Sequence, residues 1–183
     1  IRTLLILTLG LIAPSLSFAM FAVTQQQQIE TIQQSINGIT KISDKQPLEG
    51  TKILIRSVFA GDEIIAYAFN TNDVVNIPAY SGKPINTLIV MDLKGEIVAT
   101  RVLEHHEPIL LVGIPEKKLF DFTDKYQGLM VTDTVGIGAG NKQDVINIDI
   151  ISGATVTVMV VNEAIMRSAK KVASILGIAG LSL

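Results

Sequence analysis

The sequence predicts an α+β fold in which helices flank a twisted, mainly antiparallel sheet. Three observations lead to this prediction. Short apolar runs of strand length are separated by turn residues, one strongly helical pattern lies near the C-terminal end, and strands and helices do not alternate regularly. The 183 residues are enough for one domain with a hydrophobic core, and no internal repeat interrupts them.

An amphipathic helix is predicted over Thr24–Asn37, which reads TQQQQIETIQQSIN. Isoleucine recurs there at the spacing of one helix face, at positions 29, 32, 36 and 39. Gly38 is a natural end for this helix. The polar stretch that follows, residues 39–50, is predicted to be irregular.

The middle of the chain is predicted to form the sheet. Apolar and β-branched runs bounded by turn residues predict strands at Thr51–Phe59, Glu63–Phe69, Ile85–Leu93, Glu96–Leu103 and Val145–Ile151. The turn Lys94-Gly95 makes the third and fourth of these the clearest hairpin. A turn is predicted at 70–73, a short helix at Pro115–Phe122, and a further short segment at Tyr126–Val131.

The strongest helical pattern covers Val156–Leu176. Its apolar residues fall on one stripe, at positions 158, 161, 165, 169, 172 and 176. Gly177 is suited to end the helix.

Composition excludes several classes of function. The net charge of −2 and the lack of a basic run argue against a nucleic-acid partner. The absence of cysteine removes disulfides, thiol nucleophiles and iron–sulfur ligation from this chain. The two histidines, His105 and His106, are adjacent, a poor spacing for a shared metal. Neither a metal site nor a catalytic residue is predicted.

The N-terminal segment has the features of an export signal. Residues 1–19 carry one base, an apolar core, Pro14 and a small-residue end at Ala19, which predict a cleaved signal peptide. The alternative is an uncleaved anchor over Leu4–Val23, a stretch about long enough to span a bilayer. We expect residues 20–44 to be a helix and linker, 45–177 the main domain, and 178–183 the start of a connection.

Two polar loops are weaker candidate sites. Gly136–Gly140 resembles a dinucleotide loop, but the third glycine of that pattern would fall at Asn141, and no helix is predicted to follow; a flexible glycine loop beside the site is the better interpretation. His106 and Glu107 follow a hairpin strand, where they are predicted either to hold a ligand or to form a solvated loop.

The stretch Asp149–Thr155, which reads DIISGAT, is the main candidate site because it opens the long helix. In the simpler interpretation, Ser152 or Thr155 caps the first turn. A cap requires neither Asp149 nor the small pair Gly153-Ala154. A helix N-terminus also suits a phosphate, small residues let a bulky group approach, and a threonine hydroxyl can carry a phosphate ester.

Asp-x-x-Ser-Gly-Ala-Thr resembles the target of the transferase that attaches FMN to threonine in Rnf and sodium-pumping NADH:quinone oxidoreductase subunits. With the flanking blocks LEHHEPILLVGIPE and TDTVGIGAGN, the chain is similar to the N-terminal domain of NosR/NirI-type flavoproteins of nitrous oxide respiration. The resemblance covers roughly residues 45–177 and the signal segment. It implies a fold of the FMN-binding domain type.

The resemblance implies FMN esterified to Thr155 and a redox electron-transfer component rather than a stand-alone enzyme. It places Asp149, Ser152, Gly153, Ala154, Thr157, His106 and Glu107 around the cofactor. It further implies the periplasmic face of the bacterial inner membrane, with iron–sulfur clusters only in parts of the full-length protein that are not present in this chain. The implied partners are the flavin transferase, nitrous oxide reductase or its maturation factors, and a membrane part of the same polypeptide.

Two other functions remain open at this stage. One is an exported binding or signalling module without flavin, in which SGAT is only a helix cap. The other is a reductase that binds FMN without a covalent bond.

Overall fold

The computed structural model describes residues 21–182, so the predicted signal segment, residues 1–19, lies outside the described residues. The strands are β1 Phe21–Ala22, β2 Lys41–Ile42, β3 Gln46–Pro47, β4 Leu54–Ala60, β5 Glu63–Asn70, β6 Asn86–Asp92, β7 Ile97–His105, β8 Val135–Ile137 and β9 Ile146–Ile148. The helices are α1 Gln25–Ser35, α2 Thr71–Val74, α3 Pro108–Val112, α4 Glu116–Asp124 and α5 Thr155–Leu176.

The predicted α+β architecture is confirmed. Seven strands form one sheet in the order β1-β7-β6-β5-β4-β2, with β3 also paired to β4, and all of these pairs are antiparallel. The β6–β7 turn needs its glycine, because Gly95 has φ +90° and a Cβ there would lie 2.9 Å from Val131 Cγ2. Only a residue without a side chain fits this turn.

The sheet buries both of its faces. We call the face packed against α4 and α5 the α5 face, and the face packed against α1 the α1 face. On the α5 face, a continuous stripe of the long helix enters the larger core; its apolar members are Val158, Val161, Ala164, Ile165, Ala169, Val172 and Ala173. On the α1 face, Ile32 is the fully buried residue of α1.

A polar contact anchors α5 to the segment that follows α4. The hydroxyl of Tyr126 donates a hydrogen bond to Asn162 Oδ1 at 2.8 Å. Burial raises the pKa of Tyr126, so this hydroxyl stays protonated and acts as a donor. The aromatic ring is fully buried in the α5 face, where it meets Phe122 edge-on.

Two local predictions were wrong, and one short helix was not predicted. The stretch 39–50 contains β2 and β3, which are only two residues each and depend on pairing with β4. The turn predicted at 70–73 is α2, held by the buried Thr71 hydroxyl, which donates to Ile85 O at 3.3 Å. The sequence pattern did not reveal α3. The segment 126–131 is a series of turns with one bridge, Glu96 to Met130.

Within residues 21–182, none of the helices combines the length and the hydrophobicity needed to cross a bilayer.

Candidate functional site

The entrance to α5 is built by a short loop after β9. Gly153 has φ +84°, a left-handed conformation that suits glycine. Ala154 is the N-cap residue, with φ −126° and ψ 31°, and Thr155 is the first helical residue. The prediction that Ser152 or Thr155 caps the helix is therefore wrong. Ser152 is exposed two residues before the cap position, and Thr155 lies one residue beyond it.

The first turn of α5 consequently lacks a side-chain cap. Ala154 has no side-chain oxygen that can accept from the first-turn amides, and no side-chain cap bond forms from that position. Such amides have no partner inside their own helix, and they lie at the positive end of the helix dipole. Thr155 and Val156 are exposed beside them. This arrangement can receive a phosphate group next to a free threonine hydroxyl.

A cleft of about 390 Å³ opens at this helix end. One wall is the segment 153–157, and the other is formed by Tyr80 and Ile109. The apolar wall continues along Pro108 and Gly113. The volume lies within the usual range for small-molecule sites, which are mostly apolar with a few polar groups.

Glu107 lies behind the cleft and is fully buried. Its carboxylate accepts two hydrogen bonds, from the Ser81 amide at 3.0 Å and from the Thr157 hydroxyl at 2.5 Å. Thr157 stands in the first turn of α5 and lines the cleft. The structure thus joins two of the predicted site residues to each other.

The two adjacent histidines at the end of β7 have different surroundings. His105 is fully buried, and its Nε2 lies 3.2 Å from Glu116 Oε1. Burial lowers the pKa of His105, and the nearby Glu116 carboxylate opposes this shift. His106 is only partly buried, and its Nε2 lies 3.0 Å from Glu104 Oε1. His106 does not line the cleft at Thr155.

The two ends of the motif open onto different clefts. Asp149 and Ser152 line a second cleft of about 320 Å³, together with Lys118 of α4 and Lys125, which follows the last residue of α4. The Asp149 carboxylate also accepts from Asn147 Nδ2 at 3.3 Å. Gly153 and the residues after it line the first cleft. The loop 149–153 therefore separates a charged surface from the apolar site.

The glycine-rich stretch 136–140 supports the loop that carries the motif. Gly136 belongs to β8, which pairs with β9 in parallel, and the Gly138 amide donates to Ile148 O at 2.9 Å. A Cβ on Gly136 would lie 2.6 Å from Ala139 Cβ and 2.8 Å from Val145 Cγ1. Gly136 is therefore required for close packing.

Sequence reasoning missed Tyr80 and Ile109 as parts of the site. Tyr80 is 72% exposed in a turn closed by the bridge between Pro78 and Pro84. A large aromatic residue inside a proline-flanked turn was the available signal. Among residues 21–182, no group of three or more metal-ligating side chains comes together.

Comparison with known proteins agrees with this geometry. The family model described as FMN-binding domain matches residues 80–170, which include both walls of the cleft. Regulatory protein NosR of Stutzerimonas stutzeri is 48% identical over 68% of this chain, and Regulatory protein NosR of Pseudomonas aeruginosa is 45% identical over 80%. Protein NirI of Paracoccus denitrificans is 32% identical over 61% of the chain.

The aligned regions are a small part of these relatives. They span 17% and 20% of the two NosR proteins and 15% of NirI. The chain belongs to the FMN-binding domain family and is of the type found in NosR and NirI.

Proposed function

We propose that this domain carries FMN through a phosphoester to Thr155 and transfers electrons. The supporting observation is the exposed Thr155 at the uncapped start of α5, facing an apolar cleft. A helix that needed only a cap would have an acceptor side chain where Ala154 stands. This arrangement speaks against the alternative of a non-flavin module in which SGAT is a cap.

Each part of the site has a role in this proposal. The open first-turn amides would hold the phosphate oxygens, and Gly153 leaves the approach to the backbone free of a side chain. Tyr80, Ile109 and Val156 would line the apolar walls beside a planar ring. When bound, FMN supplies one- and two-electron redox chemistry, and the protein tunes it through nearby charge and hydrogen bonds.

Attachment requires a separate flavin transferase. The Thr155 oxygen bonds to the flavin-side phosphorus of a flavin dinucleotide, and the bond from that phosphorus to the bridging oxygen breaks. The nucleoside monophosphate leaves, taking up the proton of the hydroxyl. The structure provides an exposed hydroxyl for this reaction. Asp149 and Ser152 lie on the charged side of the loop, where a modifying enzyme can contact them without filling the apolar cleft.

The resemblance to the NosR proteins, of which the chain covers about a fifth, supports a proposal for the setting of the domain. We propose that it faces the periplasm as part of a membrane-tethered protein. There it supports nitrous oxide reductase or the maturation of that enzyme. Iron–sulfur clusters would belong to other parts of such a protein, because this chain has no cysteine.

The decisive test is Thr155→Val, which removes the hydroxyl and keeps the side-chain shape. After co-expression with a flavin transferase, we expect the wild type to retain ultraviolet-excited fluorescence on a denaturing gel and the added mass of FMN. The variant should fold and show neither. Thr132→Val, at an exposed loop threonine, is the matched control. A fluorescent band retained by Thr155→Val would disprove the assignment, and flavin released on denaturation would indicate non-covalent binding.

A further inference from the structure

Glu107 joins the two walls of the cleft from behind. Its two hydrogen-bond donors belong to different parts of the chain: the Ser81 amide follows Tyr80, and the Thr157 hydroxyl lies two residues beyond Thr155. The carboxylate itself is fully buried and is absent from the cleft lining. A single side chain therefore connects the aromatic wall to the helical wall.

The surroundings of Glu107 hold its side chain in one position. Hydrogen bonds to a buried carboxylate are short and strong, and the 2.5 Å contact with Thr157 fits this description. The first turn of α5 brings the positive end of the helix dipole close to the carboxylate. Within the described part of the chain, no lysine or arginine forms an ion pair with Glu107. The two donors and the helix end therefore carry most of its stabilisation.

The Tyr80 turn is stiff enough to transmit this contact. The Ala79 amide donates to Lys83 O at 3.0 Å, and the Gly82 amide donates back to Ala79 O at 2.9 Å. The bridge between Pro78 and Pro84 closes the same turn. Holding the Ser81 amide therefore also holds the backbone at Tyr80, from which the largely exposed ring projects.

We propose that Glu107 is a positioning residue that sets the width of the cleft by clamping the Tyr80 turn to the first turn of α5. This proposal rests on the proposed function for its consequence, which is that the Glu107 clamp holds the flavin ring against Tyr80. Glu107 acts through Ser81 and Thr157 and does not itself contact the cofactor.

The first test uses the unmodified protein, so it does not depend on flavin. Glu107→Leu removes both acceptor oxygens at a similar side-chain volume. We expect hydrogen exchange at the Ser81 amide to accelerate about tenfold or more, since the amide loses its acceptor. Thr157→Val, which removes one arm, should loosen the clamp, and Thr157→Ser should match the wild type. Glu163→Gln, an exposed change on α5, is the control.

The second test uses protein loaded with covalent flavin. We expect Glu107→Leu and Thr157→Val to carry the same FMN mass as the wild type but to show weaker visible circular dichroism and lower flavin fluorescence anisotropy. Thr157→Ser should restore both signals. These two signals report how the flavin ring is held. A variant that is only less stable would show unchanged signals in its folded molecules.

The outcomes separate the two proposals. Unchanged Ser81 exchange together with unchanged flavin spectra in Glu107→Leu would overturn the clamp, as would loss of FMN loading with unchanged exchange. If Glu107→Leu does not fold, the Thr157 pair decides by the same criteria. A wild type that never acquires covalent FMN would refute the proposed function, while the exchange test would still decide whether the clamp exists.

Discussion

The helices α1 and α5 begin in opposite ways. Thr24 caps α1 through a reciprocal box: its Oγ1 accepts from the Gln27 amide at 3.2 Å, and Gln27 Oε1 accepts from the Thr24 amide at 2.9 Å. Ala154 begins α5 without any side-chain acceptor. Both helices pack on the same sheet, but only the longer one leaves its first turn open.

The difference shows where each helix obtains its stability. The eleven residues of α1 include one buried residue, so local capping matters there. The twenty-two residues of α5 bury nine, and packing stabilises the helix without help from its first turn. The helix α5 therefore tolerates a start without a side-chain cap, and the backbone amides of its first turn stay available for a ligand.

The largest effect should come from removing the packing of α5. Ile165 is fully buried in the α5 face, so Ile165→Ala should lower the free energy of unfolding by about 2–5 kcal/mol. Urea titration measures the change. Met159→Ala, at a residue of the same helix that is 55% exposed, should change it by less than about 0.5 kcal/mol. Equal costs at the two positions would show that packing does not hold α5.

A smaller effect should come from removing the cap of α1. Thr24→Ala breaks the capping box and should cost about 1 kcal/mol in the same titration. Gln25→Ala, at an exposed first-turn position, serves as the control and should be nearly neutral. If Thr24→Ala is also neutral, local capping does not matter in α1, and the contrast with α5 loses its meaning.

Acid should weaken the α5 side through His105. Burial lowers its pKa in the folded state below the ordinary 6.5, so between these two values the unfolded chain binds more protons. Stability therefore rises with pH through that window and is lost as pH falls through it, with a slope no greater than one proton allows. His105→Asn should flatten this slope, and His106→Asn should leave it. If His105→Asn leaves the pH dependence of the free energy of unfolding unchanged, another group is responsible for it.

The smallest effect should come from offering α5 a cap. The backbone at Ala154 has ψ 31°, whereas the capping residue Thr24 has ψ 160°, the extended conformation that capping side chains use. Ala154→Ser should therefore change the free energy of unfolding by less than about 0.5 kcal/mol. A gain of about 1 kcal/mol would show that the open first turn depends on the residue alone and not on the backbone.

Much of the fold could be read from local patterns. Some elements have a signal within their own sequence. The apolar stripe of α5 and the isoleucines of α1 repeat at helical spacing, and Lys94-Gly95 marks a hairpin turn. The missed elements depend on distant partners. The two-residue strand Lys41–Ile42 exists because Val58 and Phe59 lie beside it, and no local signal encodes that contact.

The site was only half visible in the sequence. The stretch Asp149–Thr155 stands out because it is contiguous, and Thr155 remains the predicted attachment residue. The opposite wall comes from Tyr80, about seventy residues earlier, and only tertiary structure brings it across. The sequence indicated a loop at Glu107, but the residue is fully buried. It directly precedes the helix Pro108–Val112, which the sequence pattern did not reveal.

The exposure of Thr155 in the folded domain has a consequence for the order of maturation. Thr155 is exposed once the core has formed, so under the proposed attachment esterification can follow folding and need not accompany it. Folding and cofactor loading then become independent steps with separate yields. A cell that lacks the transferase would accumulate an intact but colourless domain, ready to be converted when the enzyme arrives.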